Sequence, residues 1–148
     1  MLKRLLGMSI AMSLFATPLL AENDAVKVYK KVSPSVVALK SLEGSGTGFV
    51  LEEDGLVLTN AHVVTSPLPY QIRVDVVKDG KLFPVIFKNV KIVGIHPKLD
   101  LALVRVDAKA VGVKLLKVEI STEKLIPGMS IFAIGNPAKD NRKGRLNT

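Results

Sequence analysis

The chain has 148 residues, about the length of a single domain. Hydrophobic residues make up 48% of it and charged residues 23%, a balance that can build a core and excludes an intrinsically disordered chain. Cysteine is absent, which removes disulfides, thiolate catalysis and Cys-based metal sites, and the formal net charge is +8.

Residues 1–21 read as an export leader. Lys3 and Arg4 form its positive start, Leu5 to Leu20 an apolar stretch interrupted by Pro18, and Ala21 a small residue suited to cleavage, with Leu19 less ideal two positions earlier. The competing reading, a membrane anchor, calls for an apolar run of roughly 20 residues. This run is shorter, and Glu22 and Asp24 follow it at once. A cleaved secretory signal is therefore expected, with no integral span left afterwards. Export of a cysteine-free chain points to the periplasm or exterior of a bacterium.

Asn23 to Lys31 reads as a short amphipathic helix, capped by Asn23 or Asp24 and closed by Ser33-Pro34. Ser35-Val36-Val37-Ala38-Leu39 is a β-branched strand. Gly44, Gly46 and Gly48 admit a phosphate-cradling reading, but that loop must open a helix. Strand-like Phe49-Val50-Leu51 follows instead, so the glycines are assigned to a tightly paired strand start. Two apolar runs, Gly44 to Leu51 and Leu56 to Val64, flank the turn Glu52-Glu53-Asp54-Gly55, a strong hairpin signal. The second run carries His62 near its end, a residue type suited to act as a base.

A loop with Pro67 and Pro69 leads to Gln71–Val76, which alternates polar and apolar residues like a half-buried antiparallel strand. Lys78-Asp79-Gly80 turns the chain into Lys81–Val85, where Pro84 predicts an edge or a bulge. Val90–Ile95 is the next strand and His96-Pro97-Lys98 an exposed turn. Asp100 opens the apolar strand Leu101–Val106, and Met129–Ile134 is a further strand ended by Gly135-Asn136-Pro137. Short strands at near-regular spacing with little helix predict an all-β barrel.

Thr59-Asn60-Ala61-His62-Val63-Val64 resembles the histidine motif of bacterial trypsin-like serine proteases of the HtrA/Deg type. Ser45-Gly46-Thr47-Gly48-Phe49 is similar to the family's preceding strand, and Val32–Val37 to the entry of its protease domain. Asp100-Leu101-Ala102-Leu103 resembles the aspartate motif, and Ile134-Gly135-Asn136-Pro137 a landmark at the exit from the first barrel. Val63 stands where disulfide-bonded animal trypsins carry cysteine, which favours the bacterial branch.

The resemblance implies the first six-stranded antiparallel barrel of a chymotrypsin/trypsin-like double-barrel fold. The expected division is a signal peptide at 1–21, a short helix and entry at 22–34, the barrel at 35–137, and a basic tail at 138–148 that begins a second barrel. It implies serine endopeptidase activity, with His62 as general base and Asp100 as the carboxylate that orients it. The nucleophile, found by family pattern in a Gly-x-Ser-Gly-Gly segment, is missing: only Ser121 and Ser130 follow Asp100, and neither has such neighbours. The sequence is expected to be a truncated or partial chain, inactive alone, without oxyanion hole, specificity pocket or PDZ domain.

The substrates implied are unfolded or extended envelope polypeptides, and the assembly implied is a homotrimer. No cofactor is expected. A zinc site from His62, His96 and Asp100 would lack a fourth protein ligand, so no metal is expected either. Lys139, Arg142, Lys143 and Arg145 could meet nucleic acid, but 5% aromatics supply no stacking platform, and none is expected. The alternative reading is a catalytically dead protease-like module that binds a peptide or an envelope protein.

Overall fold

The computed structural model describes residues 23–41, 44–65, 70–135 and the backbone of 145–147. The leader, Pro67, Pro69, Asn136-Pro137 and most of the basic tail lie outside the described residues. No helix among the described residues is long and apolar enough to cross a membrane.

Helix α1 spans Asp24–Val32. Asn23 caps it, its side chain accepting the Ala25 N–H at 2.8 Å, while Asp24 in the first turn and Lys30 and Lys31 in the last match the helix dipole. A 3₁₀ turn, Ser33–Ser35, carries Pro34 and leads into the sheet.

Strands β1 (Val36–Lys40), β2 (Ser45–Glu52), β3 (Leu56–Thr59), β4 (Gln71–Lys78), β5 (Lys81–Phe87), β6 (Lys91–His96) and β7 (Leu101–Arg105) form one antiparallel sheet in the order β5-β4-β1-β2-β3-β7-β6. Alternation directs Val37, Leu39, Val50, Val57, Ile72, Val74 and Val104 inward, where each is essentially fully buried. Burying each such side chain contributes roughly 1.5–3 kcal/mol. Two further strands, β8 (Ala133–Gly135) and β9 (Arg145–Asn147), pair apart from this sheet.

The expected closed six-stranded barrel does not form. Seven strands build an open sheet, and among the described residues no ladder joins its edge strands β5 and β6. Both edges carry features that oppose pairing. Pro84 on β5 has no N–H to donate, and the β6–β7 register shifts at a bulge between Ile92 and Gly94. The edge position of Pro84 agrees with what the proline predicts.

The hairpin turns where expected, with Gly55 N–H on Glu52 O at 3.0 Å. Gly55 has φ +118°, and a Cβ there would meet Val106 O at 2.1 Å. Glycine at this position lets the chain leaving β7 cross the turn, with Val106 N–H on Gly55 O. The same segment folds back along the hairpin through Leu115 N–H on Glu53 O and Val118 N–H on Val50 O, and Leu115 enters the core.

Two strand boundaries differ from expectation by more than two residues. β3 stops at Thr59 instead of running to Val64, and Met129–Phe132 forms no strand, leaving only Ala133–Gly135. Met129 and Ile131 stay exposed, so their alternation finds no core to face.

Candidate active site

Two short turns build the site. β3 delivers the chain into a 3₁₀ turn, Ala61–Val63, so His62 rides on a turn and not on a strand. The turn closes through Val63 N–H on Asn60 O and Val64 N–H on Ala61 O, and Thr59 anchors its entry by donating its hydroxyl to Thr47 O at 2.8 Å. Between β6 and β7, Pro97–Leu99 makes a second 3₁₀ turn ending at Asp100, which takes the left-handed conformation φ 52°, ψ 45°. Aspartate is among the few residues that tolerate that region.

The β3–β7 ladder pairs Thr59 with Ala102, so the residues just beyond each strand meet at one end of the sheet. There Asp100 accepts nearly every free donor of the His62 turn. Its main-chain oxygen takes the Ala61 N–H at 3.1 Å, and Oδ1 takes the His62 N–H at 2.9 Å. Oδ2 lies 2.7 Å from His62 Nδ1. The structure thus brings together the two residues the sequence singles out.

These contacts set the electrostatics. The backbone N–H of His62, then its ring N–H, hold the Asp100 carboxyl below the ordinary 3.8, against a smaller opposing effect of lost hydration. An ionised carboxylate on Nδ1 favours the tautomer that leaves Nε2 as the outward proton acceptor. The ring is open to reactants, with 69% of the His62 side chain exposed.

His96, the competing base, caps the Pro97–Leu99 turn instead, Nδ1 accepting the Leu99 N–H at 3.3 Å. Ser121 accepts the Glu123 N–H, and neither Ser121 nor Ser130 is hydrogen-bonded to His62 among the described residues. No group of three or more potential metal ligands assembles among them, so His62, His96 and Asp100 do not gather as a zinc site. Sequence reasoning passed over Asn60, whose carboxamide touches Asp100 at 3.1 and 3.2 Å. No local signal marks it, because the run from Leu56 to Val64 reads as extended chain and its partner lies 40 residues away.

Residues 46–148 match the family described as a trypsin-like peptidase domain. Serine protease HTRA1 of Xenopus laevis is 34% identical over 127 residues, covering 78% of this chain and 25% of that protein. The putative serine protease HhoB of Synechocystis is 40% identical over 96 residues, covering 64% of this chain and 20% of its own length. The crystal structure of Deg5 superposes with a TM-score of 0.66 at 32% identity, over 82% of this chain and 58% of that one. The chain therefore spans about a quarter or less of these two curated relatives.

Proposed function

The chain belongs to the HtrA/Deg family of trypsin-like serine proteases, and we propose that His62 is its general base and Asp100 the orienting carboxylate. The observation that carries this is the 2.7 Å contact between His62 Nδ1 and Asp100 Oδ2, reinforced by the His62 N–H on Oδ1. With Nδ1–H committed to Asp100, Nε2 can take the proton of an attacking hydroxyl and later return it to the leaving amine. The carboxylate, ionised at neutral pH, stabilises the imidazolium formed between those steps.

The overall reaction proposed is hydrolysis of peptide bonds in extended or misfolded polypeptides outside the cytoplasm, by acyl transfer through a serine. The leader-like residues 1–21 support export, and the family resemblance supports assembly as a homotrimer. No Gly-x-Ser-Gly-Gly segment occurs in the 148 residues, so they supply the acid–base half of the machinery and are inactive by themselves. The second reading is a protease-like module that binds polypeptide without cutting it.

The test uses protein translated from the whole genomic reading frame. Hydrolysis of a denatured protein that disappears in His62→Ala supports the peptidase reading, and undiminished hydrolysis overturns it. Binding of the same substrate without any hydrolysis favours the module. Labelling of the purified 148-residue chain by a fluorophosphonate at Ser121 or Ser130 overturns its proposed inactivity.

A further inference from the structure

We propose that Asn60 is a positioning residue that locks the Asp100 carboxylate in line with His62, an inference that rests on the acid–base reading of those two residues. Asn60 occupies the N-cap position of the Ala61–Val63 turn, with extended backbone at φ −78°, ψ 146°. An asparagine there ordinarily turns its side chain onto an N–H two or three residues ahead. This one makes no such cap, and the His62 N–H it would cover goes to Asp100 Oδ1.

The carboxamide reaches across instead. Nδ2 donates to the main-chain oxygen of Asp100 at 3.1 Å and to Oδ2 at 3.2 Å. A carbonyl and a carboxylate only accept, so the NH₂ end must face them, because the reversed amide would set oxygen against oxygen. Oδ2 thus receives two donors, Asn60 Nδ2 and His62 Nδ1, while Oδ1 receives the His62 N–H. Three donors arriving from one turn fix the rotation of the carboxylate. A further contact, on the Asp100 main-chain oxygen that also takes the Ala61 N–H, ties the same amide to a backbone held at a positive φ.

Backbone and side chain of the acid are therefore gripped by one group, which sits beside the imidazole without competing for Nδ1. The depressed Asp100 pKa agrees: the His62 backbone N–H is its largest cause, and Asn60 adds to it. The titratable side chain that bonds to Asp100 is His62. His96 and Lys98, on the preceding turn, make no hydrogen bond to it among the described residues.

The test is NMR on the full chain, labelled at histidine and aspartate, following the Asp100 carboxyl through an acid titration and solvent exchange of the His62 Nδ1 proton. In N60A the Asp100 midpoint should move up and Nδ1–H exchange should quicken about fivefold, the rate equivalent of one modest hydrogen bond. N60D is isosteric and keeps a capping residue, so it carries the test if N60A does not fold. Its oxygen against Oδ2 should raise the midpoint further. Unchanged titration and exchange in both variants, with the β3–β7 amide signals intact, overturns the role of Asn60. A wild-type chain that lacks the Nδ1–H to Asp100 bond overturns the acid–base reading itself, which is a separate result.

Discussion

Gly46 and Val63 are packed so closely that a Cβ on Gly46 would lie 2.5 Å from Val63 Cγ2 and 2.7 Å from Cγ1. Val63 closes the turn that carries His62, and β2 accepts that turn against itself only because position 46 has no side chain. Valine is stiff about χ1, so rotation cannot clear the space. Gly46→Ala should therefore lift the turn away from the sheet, at a cost of about 1–3 kcal/mol. It should also weaken the bond between His62 and Asp100. Thermal unfolding gives the first effect and the His62 Nδ1–H signal the second. Adding Val63→Ala should restore most of both, the coupling expected of two residues in contact. Additive losses in the double variant would refute the contact.

How far this site was legible in the sequence depends on what each residue's signal reports. Gly55 and Pro84 speak for their own positions: a turn that a side chain would block and a strand that cannot donate. The structure bears out both. The apolar run from Leu56 to Val64 told less. It predicts extended chain, yet Asp100 supplies acceptors that let residues 61–63 coil into a turn, and those acceptors come from 38 and more residues away. Sheet closure was likewise out of reach, because alternation says which face is buried and not which edges meet. Asn60 was overlooked because capping propensity is a local property, whereas its partner lies on a distant turn, just ahead of β7.

The left-handed backbone of Asp100 separates the charge of this residue from its shape. Asparagine tolerates φ 52°, ψ 45° nearly as well as aspartate, and alanine does not. Asp100→Asn should keep the turn and melt at a higher temperature than Asp100→Ala. In protein from the whole reading frame, kcat should fall about 10⁴-fold in Asp100→Asn, the loss typical when such a carboxylate becomes an amide and the wrong imidazole tautomer results. KM should change little. Equal melting of the two variants would mean that the positive φ is not maintained by residue type.

Acid should dissolve the contact in a predictable window. The His62 backbone N–H and then its ring hold the folded-state pKa of Asp100 below the ordinary 3.8. Through that window the unfolded chain binds the proton more readily, so stability rises with pH. The contribution is complete above 3.8 and is lost as pH falls through the lower, folded-state value. Melting of wild type and Asp100→Asn, compared from about pH 6 down to about pH 2, should therefore show a gap that narrows below 3.8. A gap that stays constant over this range removes Asp100 from the acid response.

The open sheet makes its own demand at the edge. Along β5 the register with β4 runs from Ile72–Phe87 to Lys78–Lys81 without a shift, passing through the Asp75–Pro84 pair. A missing N–H that leaves the ladder intact falls on the free side, where prolines are tolerated. Around it Leu82, Phe83 and Ile86 are about half exposed, so this edge combines apolar side chains with strand geometry and lacks one donor. Exposed edges of that kind recruit strands from other molecules, and proline is one of the residues that prevent it. Pro84→Val restores the donor and adds a strand-forming side chain without touching His62 or Asp100. The variant should keep the β4–β5 pairing in amide exchange, yet associate at lower protein concentration than wild type in light scattering. Leu82→Lys in the same variant should reverse the association by placing charge on the edge. If Pro84→Val remains as dispersed as wild type, the proline is not what guards this edge, and the Lys81 and Lys78 charges at its end become the residues to remove next.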